Sequence, residues 1–509
     1  MRVLPRSISG TLRMGLGFIL GVTAVTALTA TPAEAADTQY FVDCAAGSDS
    51  NSGADSKHPW RTLAKVNALT LGAGDEVAFR SGTTCTGTLT PHGSGTADLP
   101  IILRSYGTGN RPQIAGAGAR AAILLRNVQG YTIKNLDVTN TGAAPGADQQ
   151  RVGIYVLLED YGIGADYRIA NVSVHDVNGC DCRYPNPSGG IVFDAAGATT
   201  PTGFREVTVT KSTATHVDRT GIGLFSSWQK RAGNPTGPGS AYVPLTDVSI
   251  NNNQVKDAGG DGVVLLNGVS AVVRDNVVDG FNTRSPDYNL GMYAWNSDDT
   301  KFRNNFVSNG FGVGIGYGIE AANFGTVFEY NYSSNNAGGF MFICASDGSS
   351  SADDTVRYNI SVNDGSSNPY LGVFTLPCGP QPNTQIYNNT VYAPAAPALV
   401  LTNGGTAATW TNNIFVGQPA GSTIADPAGT YDHNLFHRVT TPPVHQLNGV
   451  TGDPRFVAPG TTADGMKLRT GSPALGAGVK VKAAGGQDYF GNPLPSSGLN
   501  IGAYQDAGL

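Results

Sequence analysis

The chain has 509 residues, only 14% of them charged, with a net charge of −6 and 68 glycines. No basic patch or run is present, which excludes the electrostatic footprint of a nucleic-acid binder. After the N-terminal segment no apolar run approaches the ~20 residues that a membrane span needs, so no membrane partner is expected.

Met1–Ala35 reads as a secretory signal. Arg2, Arg6 and Arg13 give the positive start, Met14–Leu28 the apolar stretch, and Ala33-Glu34-Ala35 the small-residue cleavage site. A secreted, extracellular protein is therefore expected. Six cysteines suit an oxidising compartment. Cys44 with Cys85, and Cys344 with Cys378, are the expected disulfides. Cys180-Asp181-Cys182 stays open between a bridge across one residue and a metal site, although no histidine cluster supports zinc.

Residues 36–115 are expected to form an N-terminal cap and the first coils. Tyr40–Asp43 reads as a strand, Pro59–Val66 as a short amphipathic helix, and Gly74–Gly82 as a turn and strand. A cap of this kind protects the open end of a stacked sheet.

Residues 116–440 are organised by repetition. Asn-type positions recur at Asn135, Asn171, Ser212, Asn253, Asn276, Asn305, Asn331, Asn359, Asn389, Asn413 and Asn434. A second strand aligns at Gly153, Gly190, Gly221, Gly262, Gly291, Gly318, Gly339 and Gly372. Self-similarity at this period marks a solenoid. Residues one and three places after each Gly are almost all apolar, and alternation puts them on a core face. A parallel β-solenoid follows, all-β and one elongated domain, with Asn276, Asn305, Asn331 and Asn359 stacked so that each amide satisfies the next rung's backbone.

The opposite face of that strand carries the glycines and two columns. One runs Tyr155, Val192, Gly223, Val264, Tyr293, Glu320, Met341, Phe374. The other runs Leu157, Asp194, Phe225, Leu266, Trp295, Ala322, Ile343, Leu376. With rungs about 4.8 Å apart, Glu320 is expected one rung from Tyr293 and diagonal to Trp295. A carboxylate flanked by aromatics over a smooth glycine floor suits a sugar-binding cleft. A loop packed over this face would instead make the aromatics core. Arg274, Arg303, Glu329 and Arg357 read as a charge ladder, and Asn267, Asn296 and Asn323 as a second amide ladder. His216 and Asp218 lie beside the expected cleft.

Both ends of the chain resemble a known group. Phe41-Val42-Asp43, Gly47–Gly53, Pro59–Val66 and Gly74–Gly82, together with Gly452–Phe456, Gly471–Ala474, Phe490–Pro493 and Ile501–Tyr504, look like the entry and closing coil of secreted right-handed parallel β-helix proteins of carbohydrate-active type, the pectate-lyase-like fold. Residues 441–509 would be that closing coil. The resemblance implies the fold and a polysaccharide or oligosaccharide partner. The same fold hosts lyases, hydrolases, epimerases and tailspikes, so the reaction has to come from the site.

Glycoside hydrolysis needs two carboxyls flanking the scissile bond. Glu320 is the first candidate, as an acid in an otherwise apolar and glycine-rich column. Its partner is Asp298, with Asp299 beside it, or Asp261. Asp298 and Glu320 resemble in spacing the acids of β-xylosidase-like β-helix hydrolases. Asp347 is a lesser candidate. Tyr293, Trp295 and Phe225 would bind sugar rings, and the loop bearing Trp228 would wall the cleft. No resident metal or other cofactor is required, and a monomer is expected. The main rival is a polysaccharide lyase, in which Asp298, Asp299 and Asp261 hold Ca²⁺ near Lys301. A non-catalytic glycan-binding β-helix is the third reading.

Overall fold

A computed structural model describes residues 37–509 except positions 184, 347, 366, 367, 369, 380, 403–406 and 483. The expected signal Met1–Ala35 and the candidate Asp347 lie outside the described residues.

Three parallel sheets run along the chain, holding twelve, sixteen and fourteen strands among the described residues. Each coil visits them in one order. Ala121–Arg126 lies in the twelve-stranded first sheet, Tyr131–Lys134 in the second, Asp137–Asn140 in the third, and Val152–Glu159 returns to the first. Successive rungs pair in parallel. The fold is thus a right-handed parallel β-helix, the hand that parallel crossovers take. The interior is filled by the inward columns of all three sheets, including Ile154, Ile191, Phe193 and Tyr167. At the N-terminal end, Gln39–Val42 pairs with Glu76–Arg80, and the helix Leu63–Asn67 buries Leu63 and Val66.

The asparagine ladder is present from Asn253 to Asn434. From Asn276 on, each Oδ1 accepts from both the backbone N–H and the Nδ2 of the asparagine one rung before, as when Asn331 Oδ1 accepts from Asn305 N and Nδ2, both at 3.0 Å. Each Nδ2 also reaches back to a strand carbonyl, Phe302 O at 2.9 Å for Asn331. Asn135 and Asn171 do not belong to it. They hold φ of 59° and 54° at a sharp corner, the column continued by Asn252, Asp275 and Asn304. Leu136 and Val172 take the buried places after them. Asparagine tolerates the left-handed conformation and also stacks its amide, so one residue type serves two adjacent columns.

The second strand needs two corrections. First, the glycines of the earlier rungs, from Gly153 to Gly291, face inward, whereas Gly318 faces Tyr293 and Glu320 on the outer side. A Cβ on Gly153 would lie 2.3 Å from Val174 Cγ1, and one on Gly262 2.7 Å from Val278 Cγ1. At those earlier rungs glycine therefore admits side chains of the neighbouring sheet and provides no cleft floor. Second, the register slips after Trp295. Tyr293 pairs with Gly318 and Trp295 with Glu320, so Gly316 takes the place expected of Gly318. At the next rung Gly318 pairs with Phe342 and Glu320 with Cys344. Met341, Ile343, Phe374 and Leu376 consequently belong to the core, while Phe342 and Thr375 face outward. A slip of one residue exchanges the two faces.

All three disulfides form, Cys44–Cys85, Cys180–Cys182 and Cys344–Cys378. Arg274, Arg303, Glu329 and Arg357 stand in register, with Glu329 buried and paired to Arg357. Asn296 donates to Asn267, but Ala321 rather than Asn323 takes the matching left-handed position of the following rung. After Gly478 the chain returns along the side of the coil. Val479 and Asn412 exchange hydrogen bonds, Asn388 donates to the Asn500 and Gly502 carbonyls, and Tyr330 Oη donates to Gln487 O. Ile501, Ala503 and Tyr504 pack there against Ile360, Ile414 and Leu435.

Candidate active site

The outer face of the first sheet is sealed along its early rungs. Tyr155, Val192 and Val264 are wholly buried, in one apolar cluster with Leu157 and Phe225. Asp194 is sealed with them. Its Oδ2 accepts from Tyr155 Oη at 2.9 Å, and burial pushes its carboxyl up to about 6. Here the covered-face expectation holds, and the cleft is confined to later rungs.

Two adjoining hollows open there, of about 280 and 360 Å³. Arg183, Asp261, Tyr293 and Trp295 line both. Phe225 lines the first, and Glu320 the second. The structure therefore brings together five of the expected residues: Glu320, Asp261, Tyr293, Trp295 and Phe225. Trp228 is not among them. It is wholly buried, with its indole N–H directed to Ala196 O, and so cannot meet a sugar. Its loop does wall the cleft, through Gln229 and Pro238. Gln229 Oε1 accepts from Trp295 Nε1 at 2.9 Å, which fixes that ring.

Glu320 ends the strand Ile315–Glu320, beside Trp295 on one rung and Cys344 on the next. Its Oε1 is buried without a hydrogen-bond partner. Burial, and then the nearby charge of Asp261, push this carboxyl up to about 8, against the pull of Arg183. Asp261 is 3% exposed and fully engaged. Its Oδ2 lies 2.5 Å from Arg219 Nη2, and its Oδ1 accepts from Leu290 N at 2.9 Å. The cleft thus pairs a carboxyl kept protonated near neutrality with one held in an ion pair with a buried guanidinium.

Asp298 lies elsewhere. It forms a bridge between Val269 and Phe324 at the turn after the strand, and lines neither hollow. Its Oδ2 is 2.5 Å from Arg231 Nη1, and that guanidinium also stacks on Tyr242. Asp299 is exposed, and Lys301 points outward from the second sheet. Asp261, Asp298 and Asp299 are therefore not gathered into a Ca²⁺ site. Among the described residues no group of three or more His, Cys, Asp or Glu is placed to hold a metal. His216 binds Asp257 and Asp218 binds Arg284, outside both hollows.

Arg183, Arg219 and Gln229 were not singled out in the sequence. They come from irregular segments or strand beginnings outside the repeat, where no periodicity marks them. The odd Cys180-Asp181-Cys182 triplet was the one nearby signal.

The right-handed β-helix region family matches residues 189–371. A lacto-N-biosidase of Bifidobacterium longum subsp. longum is 27% identical over an alignment covering 98% of this chain and 37% of that protein. The chain thus spans about 37% of the length of that curated relative. Among solved structures, the GH136 lacto-N-biosidase of Eubacterium ramulus superposes with a TM-score of 0.60 at 19% identity, covering 81% of this chain and 67% of that one. XylC in complex with xylose gives a TM-score of 0.51 at 12% identity, covering 91% and 98%. At these identities the structures speak for the fold.

Proposed function

We propose that this protein is a secreted, monomeric glycoside hydrolase acting on an oligosaccharide or polysaccharide in the cleft over Tyr293, Trp295 and Glu320. The observation that carries the reading is the pairing of Glu320, poised as a protonated acid, with Asp261 along the same hollow. Environments that drive two carboxyls apart assign an acid and an anion. Glu320 would donate its proton to the departing glycosidic oxygen as the C–O bond breaks. Asp261 would support the positive charge that develops on the ring and assist the water that completes hydrolysis. Tyr293 and Trp295 would stack against sugar rings. The lacto-N-biosidase relative supports hydrolysis and an oligosaccharide substrate. The dispersal of Asp261, Asp298 and Asp299 speaks against the Ca²⁺-dependent lyase, and the hydrolase needs no cation. Three disulfides fit export.

The test is a panel of oligosaccharides, aryl glycosides including a lacto-N-bioside, and polysaccharides, with and without EDTA. New reducing ends, no unsaturated product, indifference to EDTA, and a loss of about 10²–10⁴-fold in Glu320→Gln are expected. An unsaturated product lost with EDTA would overturn the reading for a lyase.

A further inference from the structure

We propose that the segment Cys180–Arg183, closed by its own disulfide, is a clamp that fixes Asp261 from both sides and ties the two walls of the cleft together. The inference rests on the cleft being the site of hydrolysis.

Cys180–Cys182 encloses a single residue, Asp181. Asp181 Oδ1 accepts from Arg219 Nη1 at 3.1 Å. Arg219 is 3% exposed and turns its other terminal nitrogen on Asp261 Oδ2. One arm of the clamp therefore runs Asp181, Arg219, Asp261 Oδ2. The second arm begins at Arg183. Its Nη2 donates to Tyr288 O at 2.5 Å and to Asn289 Oδ1 at 3.2 Å. Asn289 is wholly buried, and its amide donates onward to Asn282 Oδ1 and Asp287 O. The next residue, Leu290, gives its N–H to Asp261 Oδ1. A third tie joins the same two loops, Ser285 Oγ to Asp181 Oδ2 at 2.7 Å. Both oxygens of Asp261 are thus governed from four consecutive residues more than seventy positions earlier in the chain. Arg183 meanwhile lines both hollows.

The arrangement explains a bridge across one residue. The ring holds the Asp181 backbone rigid, so the side chains of 181 and 183 diverge to separate targets without an entropy cost on each encounter. These are positioning residues, since their effect on the reaction passes through Asp261 and the cleft wall, apart from the charge that Arg183 also exerts on Glu320.

The experiment compares Arg183→Ala, Arg183→Lys and the double variant Cys180→Ser/Cys182→Ser with wild type, each first shown to keep the wild-type melting temperature within error. Loss of alignment is expected to lower kcat/KM about 100-fold in Arg183→Ala and in the double variant. Glu320 is faced by Asp261, Arg183 and Tyr293. Removing the cation should therefore move the alkaline limb of the pH profile upward in Arg183→Ala. Arg183→Lys should restore that limb without restoring kcat, because an ammonium does not reproduce the guanidinium's paired contacts. Wild-type kcat/KM in Arg183→Ala and in the double variant would overturn the clamp, whatever the alkaline limb does. If wild type hydrolyses nothing, the hydrolase reading fails by itself. Oligosaccharide binding by calorimetry then tests the clamp: about tenfold weaker binding in both variants supports it, and equal binding overturns it.

Discussion

Replacing Asn331 by Ala removes one link of the interior amide ladder. Asn331 is wholly buried, accepts twice from Asn305, and donates to Asn359 Oδ1 and Phe302 O. Alanine leaves the Asn305 backbone N–H and one Nδ2 proton without an acceptor. Orphaned buried donors cost about 1–3 kcal/mol each, and a small cavity adds to them, so a loss of about 3–5 kcal/mol is expected. Asn171→Ala is the control. That residue is exposed at a left-handed corner, where alanine costs about 1–2 kcal/mol, and its amide meets only the surface partners Asn135 and Arg111. Asn331→Asp should separate acceptance from donation. It still accepts from Asn305, but its second oxygen now meets the Phe302 carbonyl and the Asn359 amide oxygen, so its deficit should shrink at low pH as the acid protonates. Urea unfolding followed by circular dichroism gives the overall loss. Hydrogen exchange at the amides of 302–307 localises it, which matters because a solenoid need not unfold in one step. If Asn331→Ala costs no more than Asn171→Ala, the ladder carries little stability and the reasoning is refuted.

Other predictions bear on charge. Asp261→Asn should cut hydrolysis by about 10²-fold or more, whereas Asp298→Ala, which strips Arg231 of its carboxylate, should lower the melting temperature and leave kcat within a few-fold; the reverse pattern in steady-state kinetics would return the second carboxylate to Asp298. Glu320 as the acid sets an alkaline limb near its pKa of about 8, so kcat/KM should fall as pH rises through that value and the limb should vanish in Glu320→Gln. Burial also lifts Asp364 from 3.8 to about 7 and Asp354 to about 8. A raised acid stabilises the fold fully below its unfolded pKa, and that stability is lost as pH climbs through the folded value. For Asp364 this amounts to about 4 kcal/mol between roughly pH 4 and 7. Asp364→Asn should accordingly flatten the decline in melting temperature over that window.

The repeat was legible because it rests on residue types that few other structures want in register. Stacked asparagines and an apolar column announce parallel rungs at once. Direction was harder. Gly153 and Gly262 look like a smooth outer floor, but a strand admits glycine equally where another sheet's side chains press in, and the sequence does not say from which side. The slip after Trp295 was hidden because Gly316 and Gly318 both fit the pattern, and the contacts of Tyr317 inside the coil decide between them. Glu320 stood out as a lone acid on an outward column. Asp261 stood out for its place before Gly262, yet what makes it distinctive, the buried Arg219 one rung earlier and the turn around Asp181, carries no mark in the repeat. Trp228 misled because a tryptophan in a wall loop fits a ligand contact and a loop anchor equally well, and its complete burial decides for the anchor.

The returning segment after Gly478 alters how the coil comes apart. A stack of rungs ordinarily frays from its free end, each rung lost with little effect on those beneath. This segment is bonded at Tyr330, Asn388 and Asn412 and packed against Ile360, Ile414 and Leu435, so it laces several rungs into one unit. Those rungs open together or stay closed together. During synthesis they also emerge before the segment that fastens them, so their outward apolar column stays uncovered until residues 479–504 follow. The interval before residues 479–504 close over that column is when these rungs are most exposed to self-association.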